Sequence, residues 1–93
     1  MHNPEFEIKL AQTATLDEFK SFLKTTFLCE EGQVALVNRR QNDLLREYVG
    51  RFVMSEKAQI ALVETRNKEI LFLYLKKYKL CEKATEALVQ TLD

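Results

Sequence analysis

Few residues in this chain have the type and spacing to do covalent or metal chemistry. There is one histidine, His2, and there are two cysteines, Cys29 and Cys81. A zinc site gathers four ligands of the Cys, His or carboxylate type. One His near the amino terminus and two widely separated Cys do not supply them. No Ser–His or Cys–His pair stands at a useful spacing for nucleophilic catalysis. Two glycines in 93 residues leave no glycine-rich loop to cradle a phosphate. Acidic pairs such as Glu30–Glu31 fall where helices should start, and the positive end of the helix dipole accounts for them there. The expectation is a non-enzymatic chain with no catalytic residues, no metal and no cofactor.

The chain is richer in cations at helical spacing. Lys20 and Lys24, then Arg46 and Arg51, then Lys76 and Lys77 fall off the apolar stripes of three successive segments. Stacked, they would form a ladder, and a ladder of that kind suits an acidic peptide or a phosphate backbone. The plainer reading is a solvated helix face with cations late in the helix, where the dipole favours them. Glu47 interrupts the ladder, and no aromatic residues interleave as a base-stacking platform needs. The plainer reading is preferred, with nucleic-acid binding kept as the alternative function. Arg39, Arg40 and Arg66 form a weaker second patch.

A register that runs through the whole sequence sets these spacings. Residues 29–54 and 55–80 share eight identities in 26 positions, and ten more positions are close exchanges. Residues 81–93 match 55–67 at seven of 13, and residues 3–28 form a worn first copy with three identities. Repetition at a period of this size marks a stacked array. Each unit reads as two helices. Asn3, with Pro4 after it, and Ser55 are good caps for the first helix. Thr15 with Glu18 makes a capping box for the second. The second helices carry apolar residues at Phe19, Phe22, Leu23, then Leu45, Tyr48, Val49, Phe52, then Leu71, Tyr74, Leu75, Tyr78, the spacing of an amphipathic helix. Gly32, Ala58 and Ala84 place a small residue four before Leu36, Leu62 and Leu88, which permits close approach of helices. Helices are expected to start near residues 4, 16, 30, 42, 56, 68 and 82.

A two-helix unit this short cannot bury its own apolar face, and stacking on the next unit does so. The chain therefore resembles the α-solenoid class, in which HEAT and armadillo repeats stack helix pairs. The resemblance is architectural: the period is shorter and the signature residues of those families are missing. It implies an all-α fold, a short right-handed α-solenoid of two-helix repeats. The units are 3–28, 29–54, 55–80 and a half unit 81–93, in one domain spanning 1–93. Lys9 and Glu86 replace apolar residues at the two ends of the register, as the polar outer faces of terminal units require, so the array is expected to be complete.

Charge and composition bound the partners. Formal net charge is zero, so the whole chain gives no pull toward nucleic acid or an anionic membrane. No segment approaches membrane-spanning length and the start lacks a signal-peptide pattern. A cytoplasmic protein that binds a protein or acidic peptide is expected. Cys29 and Cys81 stand two periods apart, too far for a disulfide in a stacked array, and are expected to be reduced. Phe72 and Leu73 turn apolar where Lys20–Ser21 and Arg46–Glu47 are polar. That change marks them as candidates for self-association into a weak homodimer, unless the closing helix covers them.

Overall fold

The structure is a computed structural model and describes residues 3–91; His2 and the last residues of the expected half unit, Leu92 and Asp93, lie outside the described residues. Among the described residues there are seven helices and no strand. They are α1 (Pro4–Thr13), α2 (Leu16–Leu23), α3 (Glu30–Arg39), α4 (Asn42–Val49), α5 (Glu56–Glu64), α6 (Lys68–Lys77) and α7 (Glu82–Thr91). The seven starts fall at the residues expected from the sequence, and four of them carry a side-chain cap. The side chains of Asn3, Thr15, Ser55 and Asn67 accept hydrogen bonds from first-turn N–H groups, and the Thr15–Glu18 box closes in both directions. Hydrogen bonding from Thr15, its backbone N–H first and its hydroxyl second, holds the Glu18 carboxyl below its usual range. Cys29 makes no side-chain cap bond, as expected of a thiol.

The helices pack in two rows. One row runs α1 against α3, α3 against α5 and α5 against α7; the other runs α2 against α4 and α4 against α6. The core lies between the rows and holds Phe19, Leu36, Leu45, Tyr48, Leu62 and Tyr74, all fully buried. Gly32 is buried where α3 crosses α1, and a Cβ added there would lie 3.3 Å from Cβ of Glu7. The turns α3–α4 and α5–α6 each place an arginine in the left-handed region, Arg40 at φ 60° and Arg66 at φ 58°.

Three buried polar side chains tie the rows to the segments that join them. Gln33 Nε2 donates to Leu28 O at 2.8 Å, and its Oε1 accepts from Ser55 N at 2.7 Å. Gln59, 26 residues on, donates to Met54 O and accepts from Cys81 N, both at 2.7 Å. Glu7 stands at the same register position in α1. Its two carboxylate oxygens accept from Asn3 N at 2.9 Å and Cys29 N at 2.7 Å. The chemistry of the partners explains the change of residue. Gln33 and Gln59 each meet one carbonyl and one N–H, which takes a donor and an acceptor. Glu7 meets two N–H groups, which takes two acceptors. Thr85, next in the register, is exposed and turns its hydroxyl back to Cys81 O.

A second tie joins α6 to the segment between α4 and α5. Tyr74 Oη accepts from Met54 N at 3.2 Å. Tyr48 stands at the equivalent position, and its hydroxyl makes no hydrogen bond of good geometry among the described residues. Burial pushes its phenol far above the usual range, opposed only in part by the Leu28 N–H.

The core and the ties make separate predictions. Leu36→Ala and Leu62→Ala should each cost about 2–5 kcal/mol, and Lys9→Ala, at an exposed end position, should stay within about 0.5 kcal/mol. Denaturant midpoints check this; equal losses at Lys9 and Leu62 would contradict the placement of Lys9 on the surface and Leu62 in the core.

Glu7→Gln should cost roughly 1–3 kcal/mol, because its amide must turn an N–H toward an N–H. Gln33→Glu should also destabilise at neutral pH, since a carboxylate then faces the Leu28 carbonyl. Protonation restores a donor, so the folded-state pKa of that new carboxyl lies above its unfolded value near 4.3. Its stabilising contribution is complete below that pH and is lost as pH rises. Midpoints measured against wild type at matched pH should converge on acidification. A constant gap across pH would show that residue 33 does not face the carbonyl.

Candidate functional site

The cations expected to form a ladder are mostly engaged. Lys20 Nζ lies 3.7 Å from Glu47 Oε1, and Arg51 Nε lies 3.7 Å from Glu47 Oε2. Glu47, which interrupts the ladder in the sequence, thus holds two of its members. Arg46 Nη1 donates to Glu69 Oε2 at 2.7 Å, and the same oxygen accepts from Asn42 Nδ2 at 2.8 Å. Lys77 Nζ donates to Gly50 O at 2.6 Å. Lys24 and Lys76 are exposed and make no ion pair among the described residues. These exposed pairs are each worth about 0.2–1 kcal/mol. Their larger effect is to cancel the local positive field that a phosphate chain would follow.

The same pairs reveal which face of a second-row helix meets its successor. Asn42 and Arg46 of α4 and its cap Gly50 touch Glu69 and Lys77 of α6 and its cap Asn67. Adding one period gives Lys68, Phe72 and Lys76 of α6, and among the described residues no helix packs on that side. Exposure records the change. Leu23 and Val49 are 4% and 2% exposed, whereas Leu75 at the same register position is 40% exposed. In the other row Val37 and Val63 are 0% and 1% exposed, and Val89 is 60% exposed. Phe72 is 63% exposed.

The expected self-association pair therefore divides. Phe72 points outward, and α7 packs on α5 and leaves Phe72 exposed. Leu73 is half-buried against the core. It stands at the position of Glu47, which reaches back to α2, so Leu73 faces the preceding helix. Leu75 and Val89 join Phe72 on this end. Between α6 and α7 a hollow of about 260 Å³ is lined by Val63, Arg66, Lys68, Leu71, Leu88 and Thr91.

A second apolar area lies on the connecting segments. Phe27 and Val53 are both exposed, and the Phe27 ring packs tilted against Phe52 with centroids 6.1 Å apart. A cavity of about 360 Å³ there is lined by these residues with Gln33, Met54 and Ser55. Two of its walls belong to the Gln33 tie, so its shape is set by the same bonds that hold the rows.

The remaining candidates are accounted for locally. Arg39 Nη1 donates to Ala11 O and Ala14 O at 3.2 and 2.8 Å, closing the end of α1. Cys29 and Cys81 are free thiols, each half-buried. Burial pushes the Cys29 thiol up, with the nearby Glu7 and Glu31 carboxylates adding to the shift, so it is held in the weakly nucleophilic form. Among the described residues no three His, Cys, Asp or Glu side chains gather as a metal site, and no helix is long and apolar enough to cross a membrane. Comparison with protein-family models, with curated proteins and with solved structures found no match in any of the three.

Proposed function

We propose that this chain is a short right-handed α-solenoid of two-helix repeats that works as a non-enzymatic, cytoplasmic binding module for protein partners. Handedness is carried over by analogy with the class. The packing of each helix on the next but one, and polar ties that recur with the 26-residue register, support the solenoid reading. The observation that carries the binding reading is the abrupt exposure of Phe72, Leu75 and Val89. Exposed apolar side chains at positions that the earlier helices bury are candidates for an interaction surface. A rigid scaffold also lowers the ordering cost of binding.

The nucleic-acid alternative is weaker, because Glu47, Glu69 and a backbone carbonyl already engage four of the six ladder cations. A salt series separates the two. The protein should fail to retain a labelled oligonucleotide at physiological salt, and polypeptides it captures should survive nuclease treatment. Tight retention that weakens with a log–log salt slope of about −0.9 per phosphate, and that vanishes when Arg46, Lys76 and Lys77 become Glu, would reverse the assignment.

A further inference from the structure

We infer that the open end formed by α6 and α7 receives an acidic, amphipathic helix from a partner protein. This rests on the protein-binding reading above and names the partner's chemistry. The molecule itself displays the kind of neighbour that this face takes. Val49 of α4 is buried beneath the next helix, and beside it Arg46 meets Glu69. On α2, Lys20 meets Glu47 of the helix that covers it. Each covered second-row helix thus takes a helix that brings apolar side chains together with a carboxylate.

On α6 the corresponding surface lacks its acidic counterpart. Lys68, Phe72 and Lys76 stand four residues apart in one line along the helix, with Leu75 beside them. Lys68 and Lys76 make no ion pair among the described residues. At one end of this line the hollow of about 260 Å³ is lined by the apolar Leu71 and Leu88 together with the cations Arg66 and Lys68. An apolar stripe at i, i+3, i+4 and i+7, flanked by Glu or Asp, matches both features. A phosphate chain would satisfy the lysines and leave Phe72, Leu75 and Val89 in water.

A second copy fits less well. A two-fold contact would bring the lysine-flanked face of α6 against itself. Head-to-tail stacking fails on charge as well. Lys57 pairs with Glu30 and Lys83 with Glu56 between successive first-row helices. One period on, Glu82 would meet the residue at the register position of Lys57 and Lys83, which in α1 is Glu5. Thr85 also offers no buried acceptor to an incoming backbone N–H, as Gln59 does for Cys81.

The test is to pan a library of helix-forming peptides, varied at all surface positions, on the immobilised wild-type protein. Recovered peptides should be acidic with one apolar stripe. Their affinity should fall about tenfold or more for Phe72→Ser with Leu75→Ser at unchanged helicity. It should fall similarly for Lys68→Glu with Lys76→Glu, whose positions are exposed and leave the core untouched. The control Lys24→Glu should bind as wild type. Peptides that are basic, or that ignore both pairs of substitutions, overturn the open-end assignment and leave the protein-binding reading standing. A library that yields no binder removes both. Concentration-dependent dimerisation of the wild type, abolished by Phe72→Ser with Leu75→Ser, overturns the inference in favour of a second copy.

Discussion

A buried backbone N–H or carbonyl must find a partner, and the joints between helix pairs are where this chain has to meet that demand. The segments ending at Leu28, Met54 and Leu80 pass against the core outside any helix, so their last backbone groups lack helical partners. Side chains from the middle of the first-row helices supply them: Glu7 to Cys29 N, Gln33 to Leu28 O and Ser55 N, Gln59 to Met54 O and Cys81 N. The identity of each side chain follows from the pair of groups it faces. The arrangement also fixes the spacing between successive helices of the row, because one side chain spans from its own approach segment to the next. Gly32, Ala58 and Ala84, buried in the same row, allow the close approach that such short bonds require.

How much of this could be read from the sequence depends on how local each feature is. Helix starts were legible because caps, first-turn acids and the 3.6-residue stripe act within a few residues. Gln33 and Gln59 are identical in aligned positions, yet their role was hidden, since their acceptor bonds reach 22 residues ahead. The exchange to Glu7 concealed the first member altogether. The spacing of the cations was visible and their pairing was not: Glu47 and Glu69 lie 27 and 23 residues from Lys20 and Arg46.

The open end illustrates the opposite case. Phe72 stood out because its position is polar in earlier units. Leu73 stood out for the same reason, although its direction along the helix turns it inward. Leu75 and Val89 gave no signal, because their positions are apolar in every unit. What changes at Leu75 and Val89 is the neighbour: among the described residues no helix packs on them, and a single sequence does not record that. Charge tells the same story. The chain is neutral as a whole, and Lys20, Arg46, Lys57 and Lys83 each meet a carboxylate of the adjacent helix in their row, so the unpaired lysines of α6 become visible only once the rows are assembled.

The reach of the ties has a consequence for how quickly the chain can find its fold. Each helix packs on one no more than two places along, and the most distant side-chain hydrogen bond among the described residues spans 28 positions. Closing loops of that size costs little more entropy than closing much shorter ones, and chains dominated by near-neighbour contacts reach their native topology in microseconds to milliseconds. Under the solenoid reading proposed above, a helix pair formed anywhere would present a template to the pair on either side, and order would spread in both directions from whichever joint closes first. Stopped-flow refolding that took seconds would point to a barrier outside this scheme. Topology here imposes almost no search.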